Sequence, residues 1–542
     1  RPRRGYAASA TFAIPGALTM IDSLEPKRPP TLLYAAVAIV ASVVIWGLVS
    51  PAALGAAAAT ALAFTTRSFG WFYLWVVLGV VVFCLFLAMS RYGNMKLGGE
   101  DEEPDFSVVA WFAMLFAAGM GIGLVFWGAA EPLSHFRTPP PGVAPMSAEA
   151  ANTAMRYAFF HWGLHPWAIY TVVALAIAFF QSGTGGGLSF SATMQGLGAK
   201  PNARWLALID LFAVVATAFG VATSLGLGAL QINSGLNAVF GLPIGVGSQV
   251  GIIAVTTVLF LASALSGIER GIKWLSTINL ALAGLLAATI FVLGPTRAIL
   301  DTLTTTLGAY LSEFVRMSLR LTPFRESSWV GDWTIFYWAW WLSWSPFVGL
   351  FIARVSKGRT IREFVAGTLL VPSAACFLWF SVFGGTALNL EIFEGVPLAA
   401  AAQADPSTAI FRVFEALPMG AVLSVAATLL VLIFFVTSAD SATVVLSILS
   451  SRGNPSPGMG MQLVWGLLVS LVAVSLLLAG GLKGIQTAAI VAALPFAVVV
   501  VLLCVSLHRA LAREWRARDR EERAMRRRAR DSANRRDGGD VV

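Results

Sequence analysis

The chain has 542 residues, of which 57% are hydrophobic and only 12% charged, with a net charge of +9 and a mean hydropathy of +0.77. A soluble domain carries about twice that charged fraction, so a single water-soluble core is excluded. Many of the arginines lie beyond residue 508, which assigns the basic excess to a tail facing anionic lipid and argues against a nucleic-acid binder.

The apolar mass is cut into runs of the length that crosses a bilayer as a helix, and only helices or closed barrels satisfy their backbone there. Continuous apolar runs mean helices. About twelve spans are predicted, near 31–50, 71–90, 107–129, 153–181, 203–238, 249–267, 272–294, 333–353, 365–389, 411–449, 461–480 and 484–507. The runs at 203–238 and 411–449 exceed one crossing, so tilted or projecting helices are expected there. Residues 300–320 are amphipathic and are expected to lie along the outer surface. Cys84, Cys376 and Cys504 all fall inside apolar runs, which argues against a disulfide framework or a metal cluster. Nothing at the start reads as a cleavable signal peptide.

Short loops set the orientation. From a cytoplasmic N-terminus, the inner loops carry Arg91 and Lys96, Lys200 and Arg204, Arg270 and Lys273, then Arg354, Lys357, Arg359 and Arg362, then Arg452. The 295–332 connection, with Arg297, Arg316, Arg320 and Arg325, is a long outer exception. Both termini are therefore expected in the cytoplasm and the protein in the inner (plasma) membrane.

Two spans read as interrupted. The third contains Gly119-Met120-Gly121-Ile122-Gly123, and the eighth contains Ser343-Trp344-Ser345-Pro346. Glycine weakens a helix and proline removes a backbone donor. A matched pair of breaks points to a transport site between inverted repeats, although glycines also serve close helix packing. The resulting layout is a cytoplasmic segment (1–30), two peripheral helices (31–106) and a first five-helix repeat (107–294). An amphipathic periplasmic or extracellular connection (295–332), a second repeat (333–508) and an Arg-rich cytoplasmic tail (509–542) follow.

Tryptophan is the strongest chemical signal. In the eighth span Tyr337, Trp341 and Trp344 fall on one helix face, with Trp340 beside it. In the fourth, Trp167 and Tyr170 follow Pro166. An interfacial aromatic belt suits Trp71, Trp75 and Trp333 but not the mid-span Trp341 and Trp344. Helix packing is the other bland reading. An aromatic cage, by contrast, attracts through its ring faces a quaternary ammonium, which can donate no hydrogen bond.

Intramembrane hydroxyls are the second signal. Thr217 in the fifth span and Thr437-Ser438 in the tenth fall in the third helix of each repeat, and such oxygens either ligate Na⁺ or back-bond to their own helix. His161 and His165 stand four apart, a spacing that can hold a metal, but no acidic partner lies close in sequence and packing is the preferred reading. Glu131 and Asp440 are read either as buried functional carboxylates or as helix-end residues near the surface.

At these residues the chain resembles the betaine/choline/carnitine transporter family. The resemblance is carried by Gly119-Met-Gly-Ile-Gly-Leu-Val-Phe-Trp-Gly-Ala-Ala-Glu-Pro132 and Trp338-Ala-Trp-Trp-Leu-Ser-Trp-Ser-Pro-Phe-Val-Gly349. The stretches 161–170, 353–364 and 434–441 add to it, and it spans about 31–508. It implies an all-α membrane protein of twelve spans with a five-plus-five inverted-repeat core of the LeuT type, assembled as a homotrimer. It implies an aromatic box of Trp162, Trp167, Tyr170, Trp340, Trp341 and Trp344, with Gly121 and Gly123 beside the substrate. Sodium-coupled members imply a Na⁺ site at the carbonyls of Ala117, Met120 and Phe434 and the hydroxyls of Thr437 and Ser438. A second Na⁺ site would use Thr217 and Phe347, but its remaining threonine is here Val221, which has no side-chain oxygen.

Proton-coupled choline members resemble the glycine motif but carry an acid where this chain has Gly123. A carboxylate favours a full cation, so glycine points to a zwitterion, and the break offers N–H groups to its carboxylate. The expectation is a Na⁺-coupled importer of glycine betaine or a similar compatible solute, with no cofactor beyond the coupling ion. The rival is a proton-coupled or sodium-independent choline or carnitine carrier. A membrane enzyme lacks convergent acid, base or metal groups, and a pore must release what a tryptophan cage holds. The family also implies that tails like residues 509–542 regulate activity under osmotic stress, together with the loop after the eighth span.

Overall fold

A computed structural model describes residues 31–98, 102–119, 121–184, 188–200, 203–266 and 269–537. The expected N-terminal segment 1–30 and Met120 lie outside the described residues. In chain order the helices are α1 (Thr31–Val49), α2 (Pro51–Met89), α3 (Val108–Gly119), α4 (Ile122–Arg137), α5 (Ala148–Trp162), α6 (Leu164–Thr184), α7 (Arg204–Phe240) and α8 (Val246–Ser266). There follow α9 (Glu269–Leu293), α10 (Thr296–Ser318), α11 (Phe336–Val355), α12 (Ile361–Phe393), α13 (Leu398–Ala404), α14 (Ala409–Glu415), α15 (Gly420–Ser450) and α16 (Met459–Asp537). Among the described residues the only β pairing is one isolated bridge, Lys96 to Thr360.

Ten helical stretches in the described residues are long and apolar enough to cross a membrane. Two features hide the remaining two crossings. The third span is split into α3 and α4, each too short alone. The eleventh and twelfth run together in α16, where Gly480 and Gly481 leave helical geometry. Gly481 sits at φ 55°, ψ −135°, a conformation open essentially to glycine. The described residues thus hold ten such stretches, which with the split third span and the kink in α16 give twelve helical crossings of a multi-pass membrane protein.

The repeats pack reciprocally. α4 of the third span lies on α12 of the ninth, and α11 of the eighth lies on α6 of the fourth. The third helices of the two repeats, α7 and α15, pack on each other. α7 also lies against α16, as α15 lies against α9. In the expected two-repeat division, each half thus packs its first helix against helices of the other half.

Several boundaries differ from expectation for physical reasons. The second span begins at Pro51, not near 71, because proline at the first helical position costs no hydrogen bond and an alanine-rich stretch carries the helix onward. The fourth span breaks at Gly163, and Pro166 falls in the first turn of α6, where a missing N–H is tolerated. The long tenth run at 411–449 is two helices, α14 and α15, divided by a turn whose Met419 sits at φ 65°. The amphipathic run at 300–320 is helix α10, which packs on α5 and α12, and its buried Tyr310 meets Phe377 of α12 and accepts the backbone N–H of Leu164.

The eighth span corrects the expectation of a second break. α11 is continuous from Phe336 to Val355 with Pro346 inside it. Proline leaves the carbonyl of Leu342 without its usual N–H partner. The Ser345 hydroxyl donates to that carbonyl at 2.7 Å. The irregular backbone lies earlier, in a single π turn at Gly331–Ile335.

Candidate functional site: an aromatic nest behind the broken third span

The break in the third span falls between Gly119 and Ile122, with Gly121 extended at φ −143°, ψ −172°. A Cβ added at Gly121 meets nothing within 4 Å among the described residues, so space opens beside it. A Cβ at Gly123, two residues on, would collide with the Trp340 ring and come within 3.1 Å of Trp162. The glycine at 123 is there because two indoles occupy the place of a side chain.

Those indoles form the nest. Trp340 and Trp341 stack at 4.6 Å with planes 16° apart. Trp162 stands edge-on to Trp341 at 4.8 Å and 71°. Tyr170 meets Trp341 at 6.3 Å, and Trp167 meets Tyr170 at 5.5 Å. All five are buried. They come from α5, α6 and α11, which the Gly163 break and the α11–α6 packing bring together. The sixth proposed residue, Trp344, is only partly buried and pairs with Phe347 at 4.7 Å. Trp71 and Trp75 are exposed on the bundle surface, as a belt requires. Trp333 is not a belt residue, because its ring packs inward on Trp127 at 5.4 Å and His135 at 4.3 Å.

Behind the nest lies a polar cluster that sequence spacing did not assemble. Glu131 is fully buried on α4. Its Oε1 lies 2.6 Å from His161 Nδ1 and 3.2 Å from His135 Nε2. Its Oε2 accepts from Trp162 Nε1 at 2.8 Å and from the Tyr337 hydroxyl at 2.5 Å. The missing acidic partner of His161 is thus thirty residues upstream, across a helix interface. His165 turns away, bonds Ser318 at 2.8 Å and stacks on Trp338, so the two histidines do not act as a pair. Glu131, His135 and His161 have ligand atoms within 4.8 Å of one another and could close on a metal ion. The hydrogen bonds they make to one another account for the same geometry.

The proposed cation ligands sit on α15 and α7. Thr437 donates to the carbonyl of Ile433 at 2.8 Å, and Ser438 is half-buried one residue on. α15 packs against α4. Ala117 lies near the end of α3, and Met120 is outside the described residues. A hydroxyl that gives its proton to its own helix still presents lone pairs outward, so this geometry is compatible with ligation. Thr217 likewise donates to Ala213 at 2.7 Å, while Val221 is buried and offers no oxygen. Asp440 is buried, with Oδ1 lacking a hydrogen-bond partner among the described residues.

The tail end of the bundle is clamped. Arg359 is buried, donates to the carbonyl of Phe106 at 2.8 Å and lies 4.1 Å over Trp111. Trp111 donates to Ser356 at 2.8 Å. Arg362 donates to the carbonyl of Ala88 at 2.9 Å. Two of the basic residues in the loop expected to work with the tail are thereby committed elsewhere, Arg359 to the segment before α3 and Arg362 to the end of α2. The tail itself continues α16, with ion pairs at a spacing of four, Glu514–Arg518 (2.5 Å), Asp519–Arg523 (3.0 Å) and Glu522–Arg526 (3.6 Å).

Comparison with known proteins fits this geometry. The glycine betaine transporter OpuD of Bacillus subtilis (strain 168) is 49% identical over 493 residues, covering 90% of this chain and 96% of its own. The ectoine/hydroxyectoine transporter of Virgibacillus pantothenticus is 46% identical over 483 residues, covering 89% and 96%. The probable glycine betaine transporter of Desulfitobacterium hafniense (strain Y51) is 42% identical over 489 residues, covering 90% and 98%. The model of the betaine/carnitine/choline family transporters matches residues 31–516. With broken span, indole nest and reciprocal repeats in place, the chain belongs to the betaine/carnitine/choline transporter family.

Proposed function

We propose that the protein imports glycine betaine, or a zwitterion of the same kind, across the cytoplasmic membrane together with Na⁺. The observation that carries this reading is the nest itself. Trp340 and Trp341 are parallel, Trp162 and Tyr170 stand at steep angles to them, and Gly123 leaves room for the rings. Indole faces attract a cation that cannot donate a hydrogen bond, with about 2 kcal/mol available when the contact is desolvated. The nearby carboxylate, Glu131, is already engaged by four donors. It is therefore a poor counter-charge for a free cation, and a solute that carries its own carboxylate is favoured over choline. The space beside Gly121 suits that carboxylate, next to the N-terminus of α4.

The relatives widen the range by two solutes, since one of them is an ectoine/hydroxyectoine transporter. Ectoine also joins a delocalised cation to a carboxylate, so the same recognition serves it. For the ion, the hydroxyls of Thr437 and Ser438 on α15, a helix that packs against α4, support one Na⁺, and Val221, which has no side-chain oxygen, argues against a second. The short basic loops support cytoplasmic termini.

Purified protein in proteoliposomes is expected to accumulate labelled glycine betaine under an inward Na⁺ gradient and not under an equal K⁺ gradient. Thr437→Val, which keeps shape and deletes one oxygen, should raise the Na⁺ concentration for half-maximal uptake more than it lowers the maximal rate. Uptake driven equally well without Na⁺ overturns the coupling, and no uptake of either zwitterion overturns the substrate class.

A further inference from the structure

The Glu131 cluster lies behind the nest, and its bonds end on the nest's rings. Oε2 accepts the indole N–H of Trp162. Oε1 takes the imidazole of His161, whose own backbone carbonyl accepts the indole N–H of Trp341 at 3.0 Å. The same His161 ring reaches Thr334 on the other side at 3.0 Å, and Tyr337 stacks beside Trp341 at 5.8 Å while its hydroxyl holds Oε2. One carboxylate thus ties α4, α5 and α11 together through the polar edges of the aromatic residues.

A buried carboxylate is tolerable only when its lone pairs are filled. Four donors fill them here. The dependence runs the other way too, because an indole N–H in an apolar interior usually takes an acceptor; Trp162 has one in Glu131, whereas Trp340 has none among the described residues. With its N–H anchored, Trp162 cannot swing from its edge-on stance against Trp341 without exposing both groups. We infer that Glu131 is a positioning residue for the solute site: it sets the angle of Trp162, and through His161 steadies Trp341, without touching the solute. This inference rests on the aromatic nest being the binding site.

A carboxylate that merely glued helices would show different energetics. Glu131→Gln keeps the size but turns one acceptor into a donor that faces donors. It should weaken glycine betaine binding about tenfold, read by titration in detergent, and lower the melting temperature as well, because the new donor is buried against donors. Trp162→Phe keeps a ring but removes the N–H. In that background Glu131→Gln should cost less than about threefold, because the bond it acts through is already gone. Equal penalties in both backgrounds, or a folded Glu131→Gln with unchanged affinity, overturn the inference. If Glu131→Gln does not fold, Glu131→Asp, which retracts the charge by one methylene, serves in the same cycle with the same expectation. Trp341→Leu is the control. Unchanged binding in Trp341→Leu sinks the site itself. Weakened binding there with no effect at Glu131 sinks only the positioning role.

Discussion

In the third span the backbone stops being helical between Gly119 and Ile122, whereas the eighth stays helical from Phe336 to Val355 straight across Pro346. The two segments occupy equivalent places in the two repeats. The difference is local. At the glycines the helix ends at Gly119 and restarts at Ile122, and the extended Gly121 has open space at its Cβ among the described residues. At Pro346 a serine hydroxyl one residue earlier covers the carbonyl that proline orphans. The broken element supplies backbone polarity and room, and the intact one supplies a rigid shelf of rings. A shelf of stacked indoles needs an unbroken helix, because Trp340 and Trp341 keep their register only if their backbone does.

Side chains added to the third span test the contrast most severely. Gly123→Ala drives a methyl into Trp340, which is stacked between Phe336 and Trp341 and cannot yield alone. Overpacking of this kind costs about 1–3 kcal/mol, so glycine betaine binding is expected to fall about tenfold. Gly121→Ala, with open space at its Cβ among the described residues and an extended φ, should fold normally. A ranking in which Gly121→Ala unfolds the protein and Gly123→Ala is silent would reverse the assignment of the two glycines.

The eighth span gives the smallest effect. Pro346→Ala restores an N–H that competes with Ser345 for the same carbonyl, an exchange of one hydrogen bond for another worth under about 1 kcal/mol net. Uptake and melting temperature should stay close to those of the unmodified protein. Abolished transport in a folded Pro346→Ala would mean that the proline kink itself is part of the mechanism and that the two spans are more alike than their backbones.

Much of this was legible beforehand because the signals were local. Twelve crossings follow from runs of apolar residues, the surface helix α10 from its amphipathic period, and the tail pairs from spacing of four. The ring residues stood out because tryptophan in mid-span is hard to explain otherwise. What spacing could not supply was any contact between distant helices. Glu131 meets His161 from thirty residues away and Tyr337 from 206, so the cluster looked like one histidine pair without an acid and one acid without a partner. Pro346 misled because its remedy lay in a rotamer of Ser345. The inward turn of Trp333 was hidden for a similar reason, since its position near a span end also suits a belt.

The central claim is that ring faces hold the solute by its positive charge. Tert-butylacetate has the shape of glycine betaine with carbon in place of the quaternary nitrogen. Competition of each compound against bound, labelled glycine betaine therefore isolates the charge. If the nest of Trp162, Trp340 and Trp341 recognises the cation, tert-butylacetate should compete about 30-fold more weakly, the equivalent of about 2 kcal/mol of lost cation–π attraction. Equal competition by the two compounds would contradict the account.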